Sequence, residues 1–412
     1  MVLLLGKGVS NDGVELLMME KKIEYEYLNS NEVFNYDYEY VVKAPGIPYD
    51  NEVIINFLNR NVDIYTDIEI GMKFYKDKYY ILITGSNGKS TCASLTYHIL
   101  KNEYKAVLCG NIGYSFCKAL VENKNAEVFV VEVSSFQLES ANINPNISVI
   151  LNISPCHLDH HKSFKNYVMS KANITLNQNE NNYFIYYNND VYLNILSKKT
   201  KAKIVSFNDE SVLAKCYKFN GCVYYENKKI IKISNELSIK KHLLIDYMAS
   251  ISICMIYGIK HRKIKRYIKD FKGLDYRLSK VNEYIYNDSK STNPYSTISA
   301  IKCFDNIILI CGGYERNEDL SCLKEYLGKI KRVYTYGASK NKVYNFMASN
   351  NVLVDVCESI EEAFISAIGK RKDEIILFSP MFASYDEFNS YLDRGKYFNL
   401  LCEKYLKNEN AM

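Results

Sequence analysis

The chain has 412 residues, of which 48% are apolar and 24% are charged, and its formal net charge is +5. A chain of this length exceeds one ordinary hydrophobic core, so we expect two or three domains. The mild positive charge does not indicate a nucleic-acid partner, and no apolar run reaches the roughly 18 residues of a membrane helix.

The first residues, MVLLLGKGVSNDG, are apolar but have neither a basic leading segment nor a small-residue cleavage site. We therefore interpret them as a first strand and expect a cytoplasmic protein. The twelve cysteines are scattered and form no C-x-x-C pair, so we expect them to be reduced.

Short β-rich apolar runs recur along the chain, and each ends in a small or polar cluster that a helical stretch often follows. The runs are VLLLG (2–6), YYILITG (79–85), EVFVVEVSS (127–135), ISVILNIS (147–154), NIILICGG (306–313), RVYTYG (332–337) and EIILFSP (374–380). Buried runs that alternate with helices are typical of parallel sheets in α/β proteins. Ligands in such folds bind beyond the carboxyl ends of the strands, so the polar clusters are the expected places for chemistry.

The runs suggest three α/β domains. Residues 1–72 would form a short Rossmann-like domain with one small βα unit and a second polar-ended turn, KAPGIP (43–48). Residues 73–275 would form a central P-loop ATPase-like domain with a mainly parallel sheet. Residues 276–412 would form a carboxy-terminal Rossmann-like α/β domain.

The segment ITGSNGKST (83–91) lies between a predicted strand and a predicted helix. A strand, a glycine turn and a helix amino terminus suit a phosphate, because backbone N–H groups and the helix dipole face the anion. The common pattern G-x-x-x-x-G-K-[ST] separates its glycines by four residues, whereas this loop separates them by two. We predict that Lys89 meets the outer phosphates and that Ser90 or Thr91 holds Mg²⁺; the alternative is a plain turn with a surface lysine.

Two further strand ends carry metal-ligand side chains. Glu132 lies inside an apolar run, and His157 follows ILNISPC. Near a phosphate loop, both could ligate Mg²⁺ directly or through water. The cluster His157, His160 and His161 suggests zinc, but its spacing does not match a zinc site. We expect His160 and His161 to be solvated loop residues.

Lys171 lies on the apolar face of a predicted helix, SFKNYVMSKANITL (163–176), with Tyr167 and Ile174 as neighbours on that face. A charged amine there would lose its hydration at considerable cost unless it were paired or neutralised. The simpler alternative is an aliphatic stem that extends out to water.

These motifs carry a resemblance to a known family. ITGSNGKST, GNIG (110–113), VEVSSFQLE (131–139), HLDHH (157–161) and Lys171 occur in the order found in Mur ligases, the ATP-dependent enzymes that build the peptidoglycan stem peptide. The chain resembles this family over almost its whole length, and the short glycine spacing is the family's own form of the loop. SSFQLE, NDSKSTN (287–293) and LFSPMFASYDEF (377–388) are similar to the member that adds D-glutamate to UDP-N-acetylmuramoyl-L-alanine.

The resemblance implies roles for individual residues, with no nucleic-acid or membrane partner and a monomeric state. The ATP site would contain Gly85, Ser86, Asn87, Gly88, Lys89, Ser90, Thr91, Arg277, Asp288 and Lys290. One or two Mg²⁺ ions would be held by Ser90, Thr91, Glu132, His157 and a carbamylated Lys171. The catalytic residues would be Lys89, His157 and Lys171. The UDP-substrate would contact Val9, Ser10, Pro45, Gly46 and Asn111. D-glutamate would contact Thr292, Arg316, Ser384 and Tyr391.

The chain also departs from the family pattern. Its H-N-x-x-N segment reads HLLID, so Leu243 and Asp246 replace two asparagines that help to hold the nucleotide. Arg316 replaces a lysine, and Ala44 replaces a serine that often precedes the Pro-Gly turn. How so short a first domain binds uracil is left open.

Three alternatives stay open. The first is another Mur ligase or a folylpolyglutamate synthase-like ligase, although the D-N-P-R motif of the diaminopimelate-adding Mur ligase is missing and the folate enzymes would lack VEVSSFQLE and ASYDEF. The second is a P-loop kinase or regulatory NTPase, which needs no inward-facing Lys171. The third is a non-catalytic relative, against which the intact Lys89, Glu132, His157 and Lys171 argue.

Overall fold

The computed structural model describes residues 1–28, 37–112, 114–233, 241–315 and 318–409. The described residues fall into two compact units. One contains the chain up to residue 233 and Leu243–Phe271, and the other contains the chain from Lys272 onward. Within these ranges, no helix has both the length and the apolar character needed to span a bilayer.

The first sheet of unit 1 has four parallel strands in the order β2-β1-β3-β4. Its strands are β1 (Val2–Leu5), β2 (Tyr25–Leu28), β3 (Tyr40–Lys43) and β4 (Asp63–Tyr65), and its helices are α1 (Val9–Lys21), α2 (Glu52–Asn59) and α3 (Asp67–Phe74). The expectation of a single βα unit was therefore too small. Strands β1 and β3 are buried throughout, as expected for a sheet covered on both faces.

The second sheet of unit 1 has nine strands in the order β13-β12-β11-β10-β9-β8-β5-β7-β6. Its strands are β5 (Tyr79–Thr84), β6 (Ala106–Gly110), β7 (Val128–Glu132), β8 (Ile147–Ile150), β9 (Tyr183–Tyr187), β10 (Lys203–Asn208), β11 (Cys216–Phe219), β12 (Cys222–Tyr225) and β13 (Lys228–Lys232). Its helices are α4 (Lys89–Leu100), α5 (Phe116–Glu122), α6 (Ser135–Leu138), α7 (Leu158–His161), α8 (Phe164–Ala172), α9 (Val191–Ser197), α10 (Lys241–Ile256) and α11 (His261–Asp270), with a 3₁₀ turn at Asn173–Thr175. Across the sheet, the neighbouring strands β6, β7, β5, β8, β9, β10 and β11 all pair in parallel. Strands β11, β12 and β13 form an antiparallel meander at the other side of the sheet.

Strand β5 lies between β7 and β8, so the chain departs from β5 towards both sides of the sheet. The loops that follow these three strands therefore meet at one crevice, where ligands bind in open α/β sheets. The two sheets of unit 1 share one hydrophobic core, in which α1 and α3 pack against α5 through Leu17, Ile68, Phe116 and Leu120.

Unit 2 contains a six-stranded sheet in the order β14-β15-β19-β16-β17-β18, parallel except for the β14–β15 pair. Its strands are β14 (Ser279–Lys280), β15 (Ile285–Asn287), β16 (Ile307–Gly312), β17 (Ile330–Tyr336), β18 (Leu353–Val356) and β19 (Ile375–Met381). Its helices are α12 (Pro294–Ile301), α13 (Lys340–Ser349), α14 (Ile360–Lys370) and α15 (Tyr391–Glu409), with a 3₁₀ segment at Ser321–Lys329. Separate hydrophobic clusters cover the two faces of this sheet.

The fold confirms the predicted α/β class. All seven predicted apolar runs form strands, namely β1, β5, β7, β8, β16, β17 and β19, and all seven pair in parallel. The helices predicted after the glycine loop and around Lys171 are α4 and α8. The twelve cysteines are free thiols. The domain boundaries at 72/73 and 275/276 stay a prediction.

Candidate functional site

The loop Gly85–Thr91, which we predict to bind a nucleotide and call the nucleotide loop, joins β5 to α4 and is fixed to the segment that follows β8. The Asn87 N–H donates to Asn152 Oδ1 at 2.9 Å, and Asn152 Nδ2 donates to the Asn87 carbonyl at 3.0 Å. The Ser86 N–H donates to the Asn152 carbonyl at 2.9 Å, and Ser86 Oγ lies 2.8 Å from the Tyr167 hydroxyl. Asn152 therefore positions the loop. The sequence marks Asn152 only as a polar residue near the end of a predicted strand, and its role was not predicted from the sequence.

The amino end of α4 presents both a cation and an anion at the nucleotide loop. Gly88 is the N-cap with a φ of 90°, and Lys89 Nζ donates to the carbonyls of Gly85 at 2.9 Å and Ser86 at 3.1 Å. The carboxylate of Asp246, on α10, lies against Gly88, because a Cβ at position 88 would be 2.0 Å from Asp246 Oδ1. Both the positive φ and the lack of space therefore require glycine here.

Glu132 Oε2 and Thr91 Oγ1 are among the buried oxygens that have no hydrogen-bond partner within the residues that the structure describes, and both lie at this crevice. Each residue is 2% exposed, and Glu132 pairs with Ile83 of β5 in the sheet register. The other carboxylate oxygen of Glu132 accepts from Asn111 Nδ2 at 3.1 Å. Burying such oxygens without partners is costly, and hard oxygen ligands are those that Mg²⁺ prefers. The donor set therefore fits a divalent cation.

Lys171 is 1% exposed, so its predicted inward orientation is confirmed. Its Nζ donates to Thr84 Oγ1 at 3.1 Å and lies 4.9 Å from the ring centroid of Tyr167. Burial lowers the pKa of Lys171 well below its ordinary value, and the positive charge of Lys89 lowers it further, whereas the carboxylate of Glu132 partly opposes this. Burial next to the nucleotide loop therefore favours the neutral amine more than exposure to water would.

His157 is half-buried at the amino end of α7, and its ring centroid lies 5.0 Å from that of Phe136. The expectation that His160 and His161 are solvated loop residues is wrong. Both lie on α7 and pack on the ring of Phe136, and His161 is 2% exposed. His160 Nε2 lies 3.0 Å from Glu139 Oε2, so the last residue of SSFQLE meets the second histidine of HLDHH.

The residues assigned to the UDP-substrate come from three turns of unit 1. Val9 and Ser10 begin α1 directly after β1, and Pro45 and Gly46 follow β3. The two turns lie at one edge of the first sheet because β1 and β3 are parallel neighbours. Asn111 follows β6 of the second sheet, and the packing of α1 on α5 brings the edges of the two sheets together.

Buried charges lie where the two sheets of unit 1 meet, and sequence reasoning did not find them. Lys43, at the end of β3, is fully buried, and its Nζ lies 4.7 Å from the ring centroid of Tyr49. Burial lowers the pKa of Lys43 to about 8, and nearby carboxylates, first among them Glu139, oppose this. The buried Asp67 accepts from Gln137 Nε2 at 2.9 Å. The SSFQLE run thus follows the strand that carries Glu132, and it also supplies partners for residues next to the first sheet.

In unit 2, the Asp288 carboxylate is buried among donors of its own unit. Its Oδ1 accepts from the Leu278 N–H at 3.0 Å, and its Oδ2 accepts from Ser291 Oγ at 2.6 Å and from Ser379 Oγ at 2.8 Å. Burial raises the pKa of Asp288 to about 6, although these bonds and the charge of Arg277 lower it. Asp288 therefore anchors the turn that carries Arg277.

The other residues assigned to unit 2 lie at the carboxyl edge of its sheet. Lys290 Nζ lies 3.1 Å from the Tyr391 hydroxyl and 4.3 Å from the centroid of that ring. Thr292 is half-buried in the turn before α12, and Ser384 is 3% exposed after β19. Arg316 lies outside the described residues.

A fully buried arginine, which sequence reasoning missed, supports this edge. Arg394 donates through Nη1 to the Phe382 carbonyl at 3.0 Å and the Ala383 carbonyl at 3.2 Å. It also donates through Nε to Ser289 Oγ at 3.1 Å and through Nη2 to the Ser289 carbonyl at 2.9 Å. One guanidinium therefore joins the segments that follow β15 and β19.

Comparisons with known proteins agree with the motif order. A sequence profile described as the Mur ligase middle domain matches residues 83–249. A UDP-N-acetylmuramoylalanine–D-glutamate ligase of Bacillus cereus (strain G9842) is 34% identical over 371 residues, which cover 87% of this chain and 82% of that protein. The protein of the same name from Bacillus mycoides (strain KBAB4) is 34% identical over 370 residues, with the same coverage of both chains.

Solved structures share the fold at low sequence identity. The UDP-N-acetylmuramate–alanine ligase MurC of Thermotoga maritima superposes with a TM-score of 0.62 at 17% identity, covering 99% of both chains. The MurF ligase of the same organism, in complex with ADP, gives 0.63 at 16% identity and covers 99% of this chain and 95% of that one. A pseudomurein peptide ligase type C from Methanothermus fervidus gives 0.64 at 16% identity, covering 98% and 99%.

Proposed function

The chain belongs to the Mur ligase family, and we propose that it is an ATP-dependent ligase that joins D-glutamate to UDP-N-acetylmuramoyl-L-alanine. The substrates follow from the names of relatives that are 34% identical over most of both chains. The observation in the molecule that supports the proposal best is Lys171 beside the nucleotide loop, where burial above all, and then the charge of Lys89, lowers its pKa. A plain P-loop switch has no need of that arrangement.

Amide formation from a carboxylate requires activation, because a carboxylate is a poor acylating agent at neutral pH. In the proposed reaction, a substrate carboxylate oxygen attacks the γ-phosphorus of ATP, ADP leaves, and an acyl phosphate forms. The amine of D-glutamate then attacks the acyl carbon and loses a proton, and inorganic phosphate leaves. Lys89 and the α4 amino terminus would stabilise the negative charge that develops on the phosphoryl oxygens.

The residues that would hold Mg²⁺ are Thr91, Ser90, Glu132 and His157. Bound there, Mg²⁺ would neutralise phosphate charge and orient the phosphoryl group. The buried Oε2 of Glu132 and Oγ1 of Thr91 support this assignment. Asn111 would orient Glu132, since it donates to the other carboxylate oxygen.

We propose that Lys171 acts as a carbamate. The neutral amine, which burial favours, is the form whose lone pair can attack the carbon of CO₂ with loss of a proton. The product is an anion where the unmodified chain holds an amine. Such an anion is a further oxygen ligand for a cation beside Glu132, and Thr84 Oγ1 would orient it.

D-glutamate and the UDP-substrate would bind at the sheet edges already described. We propose Val9, Ser10, Pro45, Gly46 and Asn111 for the UDP-substrate, and Thr292, Arg316, Ser384 and Tyr391 for D-glutamate. Arg277, Asp288 and Lys290 would complete the ATP site, Asp288 by anchoring the turn that carries Arg277. In this proposal Arg394 is a positioning residue for the D-glutamate side, because it holds the backbone next to Ser384.

The decisive experiment measures phosphate release from ATP with each substrate omitted in turn. We expect release only when Mg²⁺, UDP-N-acetylmuramoyl-L-alanine and D-glutamate are all present, with one amide formed per phosphate. Equal release without D-glutamate would identify a hydrolase, and a preference for another amino acid in a panel would identify another Mur ligase.

A second experiment tests the role of Lys171. Lys171→Ala should abolish turnover, and added short-chain carboxylates should restore part of it, because they supply the missing anion. Lys165→Ala, an exposed lysine on the same helix, is the matched control and should keep full activity. Full activity of unrescued Lys171→Ala would contradict a metal-site role.

A further inference from the structure

The histidine cluster, defined as Glu139, His160 and His161, brings three metal-ligand side chains together outside the proposed Mg²⁺ site. One ligand atom from each residue lies within 4.8 Å of the other two. His160 Nε2 is 3.0 Å from Glu139 Oε2, and His161 Nδ1 is 3.9 Å from Glu139 Oε1. We propose that this cluster binds one divalent transition-metal ion of the Zn²⁺ type, separate from Mg²⁺.

The chemistry of the donor set distinguishes the two sites. Two imidazole nitrogens and one carboxylate oxygen suit Zn²⁺ and related first-row ions, whereas Mg²⁺ prefers oxygen ligands. Three protein ligands leave at least one coordination position for water. Glu139 and His160 side chains are 18% and 10% exposed, so an ion can reach the cluster from solvent.

The cluster is held in place before any ion binds. The backbone carbonyls of Leu138 and Glu139 accept from Asn173 Nδ2 at 2.9 and 3.0 Å, which fixes the end of α6. Asn166 Nδ2 donates to the His161 carbonyl at 2.9 Å, which fixes the end of α7. Little conformational entropy is therefore lost when the ligands gather around an ion.

The ring of His161 has an outer partner of the kind that metal-binding histidines have. Its Nε2 lies 3.0 Å from Ser135 Oγ, while Nδ1 faces Glu139 and Ser170 Oγ. A hydrogen bond at one ring nitrogen orients the other towards a ligand. The ring of Phe136 packs against both histidines, with centroid distances of 4.4 and 5.5 Å, and restricts their rotation.

An ion at this position would join α6 to α7 and would lie near the turn assigned to the UDP-substrate. The charge of Lys43, directly before that turn, acts on Glu139. Because Lys43 repels a cation, we expect moderate rather than picomolar affinity. The inference does not depend on the proposed ligase activity.

The test titrates the full-length, chelator-treated protein with Zn²⁺ and, in parallel, with Co²⁺, in saturating Mg²⁺. Calorimetry should show one Zn²⁺ equivalent that Glu139→Gln and His160→Ala each weaken by roughly 10- to 100-fold. Glutamine keeps a hydrogen bond to His160, so this variant is expected to fold. His98→Ala, another half-buried histidine that contacts the Tyr267 carbonyl, is the matched control and should leave the affinity unchanged.

Visible absorption of the Co²⁺ form reports on the ligands directly. We expect ligand-field bands of nitrogen and oxygen coordination that disappear in His160→Ala. A thiolate charge-transfer band would place the ion at a cysteine and overturn the proposal. If the bound Zn²⁺ equivalent is lost in His157→Ala but not in His160→Ala, the ion lies at the proposed Mg²⁺ site, and the proposal is also overturned.

Discussion

The buried carboxylates Glu132 and Asp288, each at a sheet edge of its own unit, differ in how their oxygens are hydrogen-bonded. At the crevice of unit 1, Glu132 Oε2 and Thr91 Oγ1 are buried without hydrogen-bond partners among the described residues. At the edge of unit 2, the Asp288 carboxylate accepts three hydrogen bonds and the Arg394 guanidinium donates four. Both edges contain ionisable groups that are at most 3% exposed.

This difference distinguishes buried polar groups whose hydrogen-bonding partner would be a ligand from buried polar groups that support the backbone. An unsatisfied buried oxygen costs folding free energy and is explained when a ligand supplies its partner. A saturated buried ion acts on the chain around it and can contribute to function only through the residues that it positions.

The largest effect is expected for Glu132→Gln, which removes the charge but keeps an acceptor for Asn111. We expect kcat to fall by about 1000-fold or more, because a metal ligand is lost. The melting temperature should stay equal or rise, because a buried carboxylate with one unsatisfied oxygen disappears. Glu127→Gln, the exposed glutamate of the same run, is the control. An active Glu132→Gln enzyme would refute the metal assignment.

Arg394→Lys should mainly reduce stability, whereas Glu132→Gln should mainly reduce activity. A lysine cannot reproduce four planar bonds to two segments, so buried carbonyls lose donors, and we expect a loss of about 3 kcal/mol in the free energy of unfolding. The KM for D-glutamate should rise as well, since Ser384 follows the clamped backbone. Arg332→Lys, at the partly exposed pair with Asp355, should cost much less in denaturant unfolding. Equal losses of unfolding free energy in the two variants would show that the four hydrogen bonds of Arg394 add no stability.

Asp288→Asn should change how stability depends on pH. The pKa of Asp288 is raised from 3.8 to about 6 in the folded protein, so the folded state binds the proton more tightly than the unfolded state. The stability that this group contributes is therefore greatest below pH 4 and is lost as the pH rises through about 6. Between pH 4 and 7, the wild type should lose on the order of 2 kcal/mol relative to Asp288→Asn. Parallel curves from urea unfolding would contradict the assignment.

The smallest effect is expected for Asp246→Asn. The carboxylate lies against Gly88 in the nucleotide loop, so it repels the phosphates that the loop is proposed to bind. A neutral side chain of the same shape should tighten ADP binding by about 3- to 10-fold at low salt, and added salt should reduce the gain. Asp270→Asn, at the end of α11, provides the control. Unchanged ADP affinity in Asp246→Asn would show that a neighbouring group already neutralises the charge of Asp246.

The sequence predicted the strands with buried runs because strands covered on both faces need continuous apolar residues. It did not predict the other strands. In some of them, such as β2, β4 and β13, partly exposed residues such as Tyr25, Asp63 and Lys228 break that pattern, whereas β3 is buried throughout and was missed nevertheless. Helical spacing predicted that Lys171 lies on the apolar face of α8 but left open an aliphatic stem that extends out to water, and the structure buries the side chain.

Other features needed the tertiary structure. The support of the nucleotide loop by Asn152 depends on β5 and β8 being neighbours, although 65 positions separate Asn152 from Asn87. The meeting of Glu139 with His160 and His161 depends on the packing of α6 against α7, and their spacing in the chain misled us about solvation.

Motif order was enough to predict the family, and the pattern of buried runs was enough to predict the fold class, because both can be read along the chain; phosphate binding at Gly85–Thr91 stays a prediction. Which polar groups are satisfied depends on the tertiary structure. Hydrogen-bond partners come from distant segments, and no spacing along the chain records their distances. Lys171 shows both contributions: helical spacing predicted the direction of its side chain, and only the fold placed Thr84, Lys89 and Glu132 around it.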